Sequence, residues 1–253
     1  MRIISFHLRG KMAHFRRYYS NSSALSYSIP PRTTLAGILA GLLGYPRDSS
    51  YEQFSLDQCR ISVALITSIK KQVQKMNLLM VDSPNDLNGF QEHHSQTPTE
   101  LILPQDIRTG FIDYQVWVSH QDKTIMYDLE QLLTLCPLGF GSKGISPALG
   151  TAPHLGWLEF VGLMEGIEVL KEEVATIYSV IPLRQLKEIQ LTGLNEIKYR
   201  LVKEDVPLEF NYERRITDRG IGTMVINLCS SPIVARVATH VKLESGMRIV
   251  WME

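Results

Sequence analysis

No aspartate or glutamate occurs among the first 47 residues, although the 253-residue chain holds 26 of them. Arg2, Arg9, Lys11, Arg16, Arg17, Arg32 and Arg47 all lie in that acid-free stretch, so seven of the 26 Lys and Arg residues face no local acid. The remaining 206 residues carry the other 19 against all 26 acids, and a formal net charge of zero hides a +7 segment and a −7 remainder. An asymmetry of this kind marks the N-terminal segment as a surface for a polyanion, either nucleic acid or a phosphorylated ligand.

Cysteine is scarce. Cys59, Cys136 and Cys229 are far apart, with no CxxC pair and no histidine at ligand spacing, which excludes a disulfide framework and a zinc site and favours a reducing, cytoplasmic setting. Long apolar runs are missing too: the longest, Thr33 to Gly44, is about half of a bilayer span. The basic start lacks the contiguous apolar core and small-residue cleavage site of a signal peptide. A soluble, unprocessed chain with no membrane contact is expected. There is no internal repeat, no HExxH, no Ser/His/Asp order and no cofactor-binding motif, so no cofactor is expected.

What is present, 44% hydrophobic and 21% charged residues, suits a globular α+β chain of one large or two small domains. Ile4, Phe6 and Leu8 alternate with Ile3, Ser5, His7 and Arg9, the period of a strand. Leu35, Ile38, Leu39, Leu42 and Leu43 then fall at helical spacing after Pro30-Pro31, and Gly44 stops that helix. Its Ala and Gly positions form a second, thin face open to close approach. A β-rich stretch (Arg60 to Ile69), a polar excursion (Lys70 to Pro104), a returning strand (Thr109 to Val118), a helix (Ile125 to Leu135) and a strand (Trp157 to Leu163) follow. The order strand, helix, strand, strand, helix, strand is the ferredoxin-like arrangement. Beyond Glu165 short strands dominate, closing on a hairpin from Ala238 to Trp251 that turns at Glu244-Ser245-Gly246.

Arg16-Arg17-Tyr18-Tyr19 combines guanidinium forks with stacking rings, as single-stranded RNA recognition requires. Arg32-Thr33-Thr34 stands at a helix N-terminus, where free N–H groups and the dipole favour phosphate. Gly139-Phe140-Gly141-Ser142-Lys143-Gly144 could bring backbone and Lys143 to a phosphate, yet it fits neither the dinucleotide fingerprint nor the Walker pattern and reads equally as a turn. His93 and His94 lack a third ligand, so no metal is expected. With Tyr45 they are the candidates for a rival reading, a metal-independent endoribonuclease acting through the 2′-hydroxyl.

The run Phe6 to Arg17, with Gly10, Ala13, Phe15 and Arg16 as "G-x-x-A-x-F-R", and Ile29 to Leu39 as "I-P-P-R-T-T-L-x-G-I-L", resembles the opening signature of the CRISPR-associated Cas-five family. Pro147-Ala148-Leu149-Gly150 resembles its "P-x-L-G" segment, with Ala148 where an aromatic is usual. The resemblance implies a non-catalytic subunit of a type I surveillance complex (Cascade), of the I-B branch. It implies a ferredoxin-like, RNA-recognition-like domain over 1–164 with a thumb hairpin inserted at about 70–104, then a smaller β-rich region over 165–253. Such a subunit caps one end of the assembly, holds the 5′ handle of the CRISPR guide RNA, touches the backbone and large subunits, and meets target DNA indirectly. Residue reading and resemblance together assign RNA contacts to Lys11, His14, Arg16, Arg17, Tyr18, Tyr19, Arg32, Thr33, Thr34 and Lys143.

Overall fold

The computed structural model describes residues 1–20, 23–79, 83–84, 94–135, 147–191 and 199–253. His93, Lys143 and the 139–144 loop lie outside the described residues. Among the described residues the fold is α+β, mostly sheet with two helices.

Strand β1 (Arg2–Gly10) alternates as its sequence demands, with Ile4, Phe6 and Leu8 in the main core and Ile3 in a separate cluster on the opposite face. Short strands β2 (Phe15–Arg16) and β3 (Ser26–Tyr27) pair with each other before helix α1 (Arg32–Leu42). Strand β4 (Cys59–Leu65) leads to β5 (Ile69–Leu79) and β6 (His94–Pro104), an antiparallel pair in register from Ile69↔Pro104 to Leu79↔His94. The polar excursion expected over 70–104 is thus built largely as two long strands.

Strand β7 (Ile112–His120), helix α2 (Lys123–Leu135) and strand β8 (Gly156–Val169) follow. Strands β8, β1, β7 and β4 lie side by side in that order, every pair antiparallel. Both helices bury one stripe against this sheet: Leu35, Ile38, Leu39 and Leu42 of α1, and Ile125, Met126, Leu129 and Leu133 of α2, share a core with Ile4, Phe6 and Leu8. Burying each such side chain contributes roughly 1.5–3 kcal/mol, so the helices are held by packing more than by propensity.

The remaining strands are β9 (Glu173–Ile177), β10 (Ile181–Pro182), β11 (Leu186–Ile189), β12 (Leu201–Pro207), β13 (Ile221–Asn227), β14 (Ile233–Val237), β15 (His240–Leu243) and β16 (Arg248–Ile249). Strands β15 and β16 form the expected closing hairpin, with Gly246 at φ 84° in its turn. The large sheet has nine strands in the order β11-β14-β9-β16-β15-β8-β1-β7-β4. Residues 164 and 165, the expected boundary, therefore fall inside β8, and hydrogen bonding is continuous across them. The physical cause is length: β8 is 14 residues long, so its first part pairs with β1 and its last part with β15.

His240 is buried at the start of β15 with neither ring nitrogen hydrogen-bonded among the described residues; Glu173 lies 3.4 Å from Nε2. Burial pushes its pKa below 6.5, Glu173 opposes that shift, and Arg248 adds to it. A histidine with a depressed folded pKa lets the unfolded state bind the proton first, so stability is complete above pH 6.5 and falls as pH drops below it. His154 is shifted the same way by burial and by His14. Unfolding free energy measured by urea titration is expected to decline from pH 7 to pH 5.5. The decline should be smaller, though still present, in His240→Gln, and an unchanged slope would contradict this account.

Candidate nucleic-acid interface

Residues 11–20 and 23–27 are tied to β6 by backbone bonds at two points. Ala13 and Ile102 exchange N–H to C=O bonds of 3.1 and 2.9 Å, while Ala24 N–H donates to the Pro98 carbonyl and Glu100 N–H to the Ala24 carbonyl. The other flank of residues 11–20 rests on the P-x-L-G segment. Gly150 sits at φ 96°, and a Cβ there would come within 1.9 Å of the His14 carbonyl oxygen. His14 N–H in turn donates to the Leu149 carbonyl at 3.0 Å. Only glycine meets both demands, so two motifs widely separated in sequence are parts of one contact.

At the tip of residues 11–20 the Ser20 N–H and hydroxyl both bond the Arg17 carbonyl, at 3.2 and 2.8 Å. This closes a tight turn that carries Tyr18 and Tyr19 outward. The two rings are 51% and 50% exposed and stand nearly perpendicular, 87° apart at a centroid distance of 5.1 Å. Arg16 is exposed beside them and donates only to the Ser20 carbonyl among the described residues; Lys11, also exposed, donates to the Gly110 carbonyl.

Arg17 has a different duty. It donates to Tyr19 Oη (2.7 Å), the Ser26 carbonyl (3.2 Å) and Glu204 Oε1 (2.9 Å), and its guanidinium lies over the Tyr19 and Tyr27 rings. Burial works against its charge, but the Tyr19 hydroxyl and Glu204 outweigh it and raise the pKa. Glu204 is itself buried on β12 and also accepts from Ser28 N–H, Ser28 Oγ and Lys71 Nζ. Lys71 further bonds the Ser26 carbonyl and pairs with Glu100 at 3.5 Å. This network, with partners from β3, β5, β6 and β12, anchors the base of the turn.

Most of the sequence-level charge excess is absorbed by folding. Arg2 pairs with Glu130, Arg9 with Asp113 and Glu159, Arg17 with Glu204, and Arg47 with Asp48. Arg32 is 1% exposed and donates to the carbonyls of Leu208, Ser55 and Cys59. It cannot serve as the phosphate fork expected of it, because both terminal nitrogens of its buried guanidinium donate to backbone carbonyls. His14 is also buried, with Nδ1 2.8 Å from the Glu100 carbonyl. Thr33 and Thr34 are half-buried at the first turn of α1 and face a separate groove. Tyr45 packs edge-on against Phe54 at 6.2 Å. His94 opens β6, and its side chain is not described. The structure therefore brings Arg16, Tyr18 and Tyr19 together on one open turn, leaves Lys11 exposed beside Gly110, and places Arg17, Arg32 and His14 in the scaffold. Sequence reading missed Glu204 and Lys71, whose place in the network no local pattern signals.

Residues 3–119 match the model of the family described as CRISPR-associated protein (Cas_Cas5), so this segment is similar to that family. The whole fold is similar to that of a CRISPR protein from Archaeoglobus fulgidus, with a TM-score of 0.55 at 11% identity, covering 98% of each chain. A chain of a CRISPR RNA-guided surveillance complex aligns over 92% of this chain and 91% of its own, at 15% identity and a TM-score of 0.46. At these identities the likeness is one of fold. No curated protein matches the sequence at a significant level. No helix among the described residues is long and apolar enough to cross a membrane.

Proposed function

We propose that this chain is a non-catalytic, RNA-holding subunit of a type I CRISPR effector complex, gripping the 5′ handle of the guide RNA at one end of the assembly. The β1-α1-β4-β7-α2-β8 unit is then its ferredoxin-like domain and the β5–β6 pair its thumb, reaching toward the backbone and large subunits. The observation that carries this reading is the turn at 17–20, where two exposed tyrosines and Arg16 stand on a base locked by the Glu204 network. Rigid aromatic rings beside an exposed guanidinium that, among the described residues, gives only one N–H to the Ser20 carbonyl supply stacking and a charge-assisted phosphate fork at low ordering cost. The match of residues 3–119 to the Cas_Cas5 family model supports the same reading.

The purified chain, incubated with its cognate repeat RNA in EDTA, is expected to bind it and leave it uncut. Arg16→Ala and Tyr18→Ala should each weaken binding in a filter assay by roughly 1–3 kcal/mol, the worth of one charged fork or one stacked base. Arg16→Lys should recover only part of the loss. Wild-type affinity in both alanine variants would remove this surface from the interface, and cleavage of the repeat would favour the endoribonuclease reading.

A further inference from the structure

A groove of about 480 Å³ runs along the outer side of α1. One wall is helix: Thr33 and Thr34 in the first turn, then Gly37 and Gly41. No side chain caps this helix, and its first turn holds no acid. The facing wall carries Tyr45, Tyr51, Phe210 and two arginines, Arg47 and Arg214, from sequence positions far apart.

Gly37 is the informative residue. It is exposed inside the helix, and a Cβ built on it would meet nothing within 4 Å. A mid-helix glycine costs stability relative to alanine, and here no packing requires one. The missing side chain leaves the helix backbone open to something that the described residues do not provide.

The charges on the other wall are poised for exchange. Arg47 and Arg214 share a single carboxylate, Asp48, at 3.3 and 3.6 Å. The Tyr51 hydroxyl, followed by these arginines, holds Asp48 below the usual carboxylate range. Both guanidiniums are largely exposed, so their pairs yield readily to another anion. Arg214 is fixed at φ 60° by a turn in which Asn211 Oδ1 accepts from the N–H groups of Glu213 and Arg215, a conformation a non-glycine residue adopts at a cost.

Beneath the groove, and sharing Thr33, Gly37, Tyr51 and Phe210 with it, is a smaller cavity of about 60 Å³ lined by Arg32. Arg32 is 1% exposed, and its Nε has no hydrogen-bond partner. No carboxylate lies within ion-pair distance of its guanidinium among the described residues. Glu209 shares this floor but is engaged by Leu56 N–H and the Thr217 hydroxyl. Glu209 and Glu253 act on the Arg32 charge from beyond ion-pair distance, and the buried guanidinium under an uncapped helix N-terminus puts a cation and the positive end of the helix dipole at the groove floor.

From these observations we infer that the α1 groove is a second single-stranded RNA subsite, distinct from the tyrosine turn. The phosphodiester backbone passes over Gly37 toward Arg47 and Arg214, and a base sits among Tyr45, Tyr51 and Phe210. Cations, hydroxyls and rings on the walls fit a nucleotide strand better than an apolar protein helix. The inference rests on the reading of this chain as an RNA-holding subunit and adds a place and a path to it.

The test is a salt titration of guide-RNA binding by the full chain, for the wild type, Gly37→Gln and the double variant Arg47→Ala/Arg214→Ala. Gly37→Gln should melt no lower than the wild type, since its side chain enters open space, yet bind RNA at least tenfold more weakly. The double variant should lower the slope of log K against log salt by about 1.4, two single-strand phosphates at about 0.7 each. Wild-type affinity and slope in both, with RNA binding intact, would overturn the groove and leave the tyrosine turn standing. No RNA binding by the wild type would overturn both. Normal RNA binding by Gly37→Gln with loss of a protein subunit from the assembled complex would overturn the inference in favour of a docking face.

Discussion

Replacing Glu204 with leucine is expected to lower the unfolding free energy by about 3–5 kcal/mol, the usual cost of removing one partner from a buried charge cluster. The carboxylate accepts from Arg17, from both the N–H and the hydroxyl of Ser28, and from Lys71. Leucine fills the volume but leaves two partly exposed cations and the buried donors of Ser28 with one fewer acceptor. Glutamine should lose less, because it keeps an acceptor oxygen for Ser28. Guanidinium titration followed by circular dichroism measures the difference. A loss under about 1 kcal/mol for Glu204→Leu would show that water or repacking replaces the carboxylate. Arg17 also positions Tyr19, so RNA affinity should fall with stability in Glu204→Leu, unlike in Tyr18→Ala.

Arg32→Met is expected to be nearly as damaging, and through folding alone. Three backbone carbonyls, of Leu208, Ser55 and Cys59, lose their donor, and each buried acceptor left unsatisfied costs about 1–3 kcal/mol. Burial lowers the pKa of the guanidinium. The neighbouring Cys59 thiol is pushed up to about 12 by burial, so it supplies no counter-charge. Arg32→Lys, with a single ammonium in place of a fork, should recover only part of the stability. Below its lowered melting temperature, Arg32→Met should retain binding at the tyrosine turn. A variant with unchanged melting and lost RNA binding would restore the role that sequence reading gave to Arg32.

These two residues also mark how far sequence reading extends. The strand at Ile4, Phe6 and Leu8, the helix at Leu35 to Leu42 and the closing turn at Gly246 were legible because burial periodicity and turn chemistry are local. The fate of Arg32 was not legible, because its three acceptors come from positions 55, 59 and 208, and nothing near Arg32 in sequence distinguishes a scaffold arginine from a phosphate fork. The acid-free N-terminus misled for the same reason: Asp113, Glu159 and Glu204, which neutralise Arg9 and Arg17, are supplied by β7, β8 and β12. Strands β2 and β3 escaped notice because two residues are too few to show a period. The role of Gly150 became clear only once its φ and its contact with His14 were known.

The position of β1 between β8 and β7, inside the nine-stranded sheet, has a consequence for the nascent chain. Its neighbours are β7 and β8, and His7 meets Asp113 106 positions later, while Arg17 meets Glu204 187 positions later. At roughly 5–20 residues per second of synthesis, the first strand leaves the ribosome several seconds or more before any strand that can pair with it exists. Throughout that interval the N-terminal segment is an unshielded polycation, close to ribosomal and messenger RNA. The carboxylates that pair with Arg2, Arg9 and Arg17, namely Glu130, Asp113, Glu159 and Glu204, arrive much later, so folding converts a general attraction for polyanions into the few exposed cations of the finished surface.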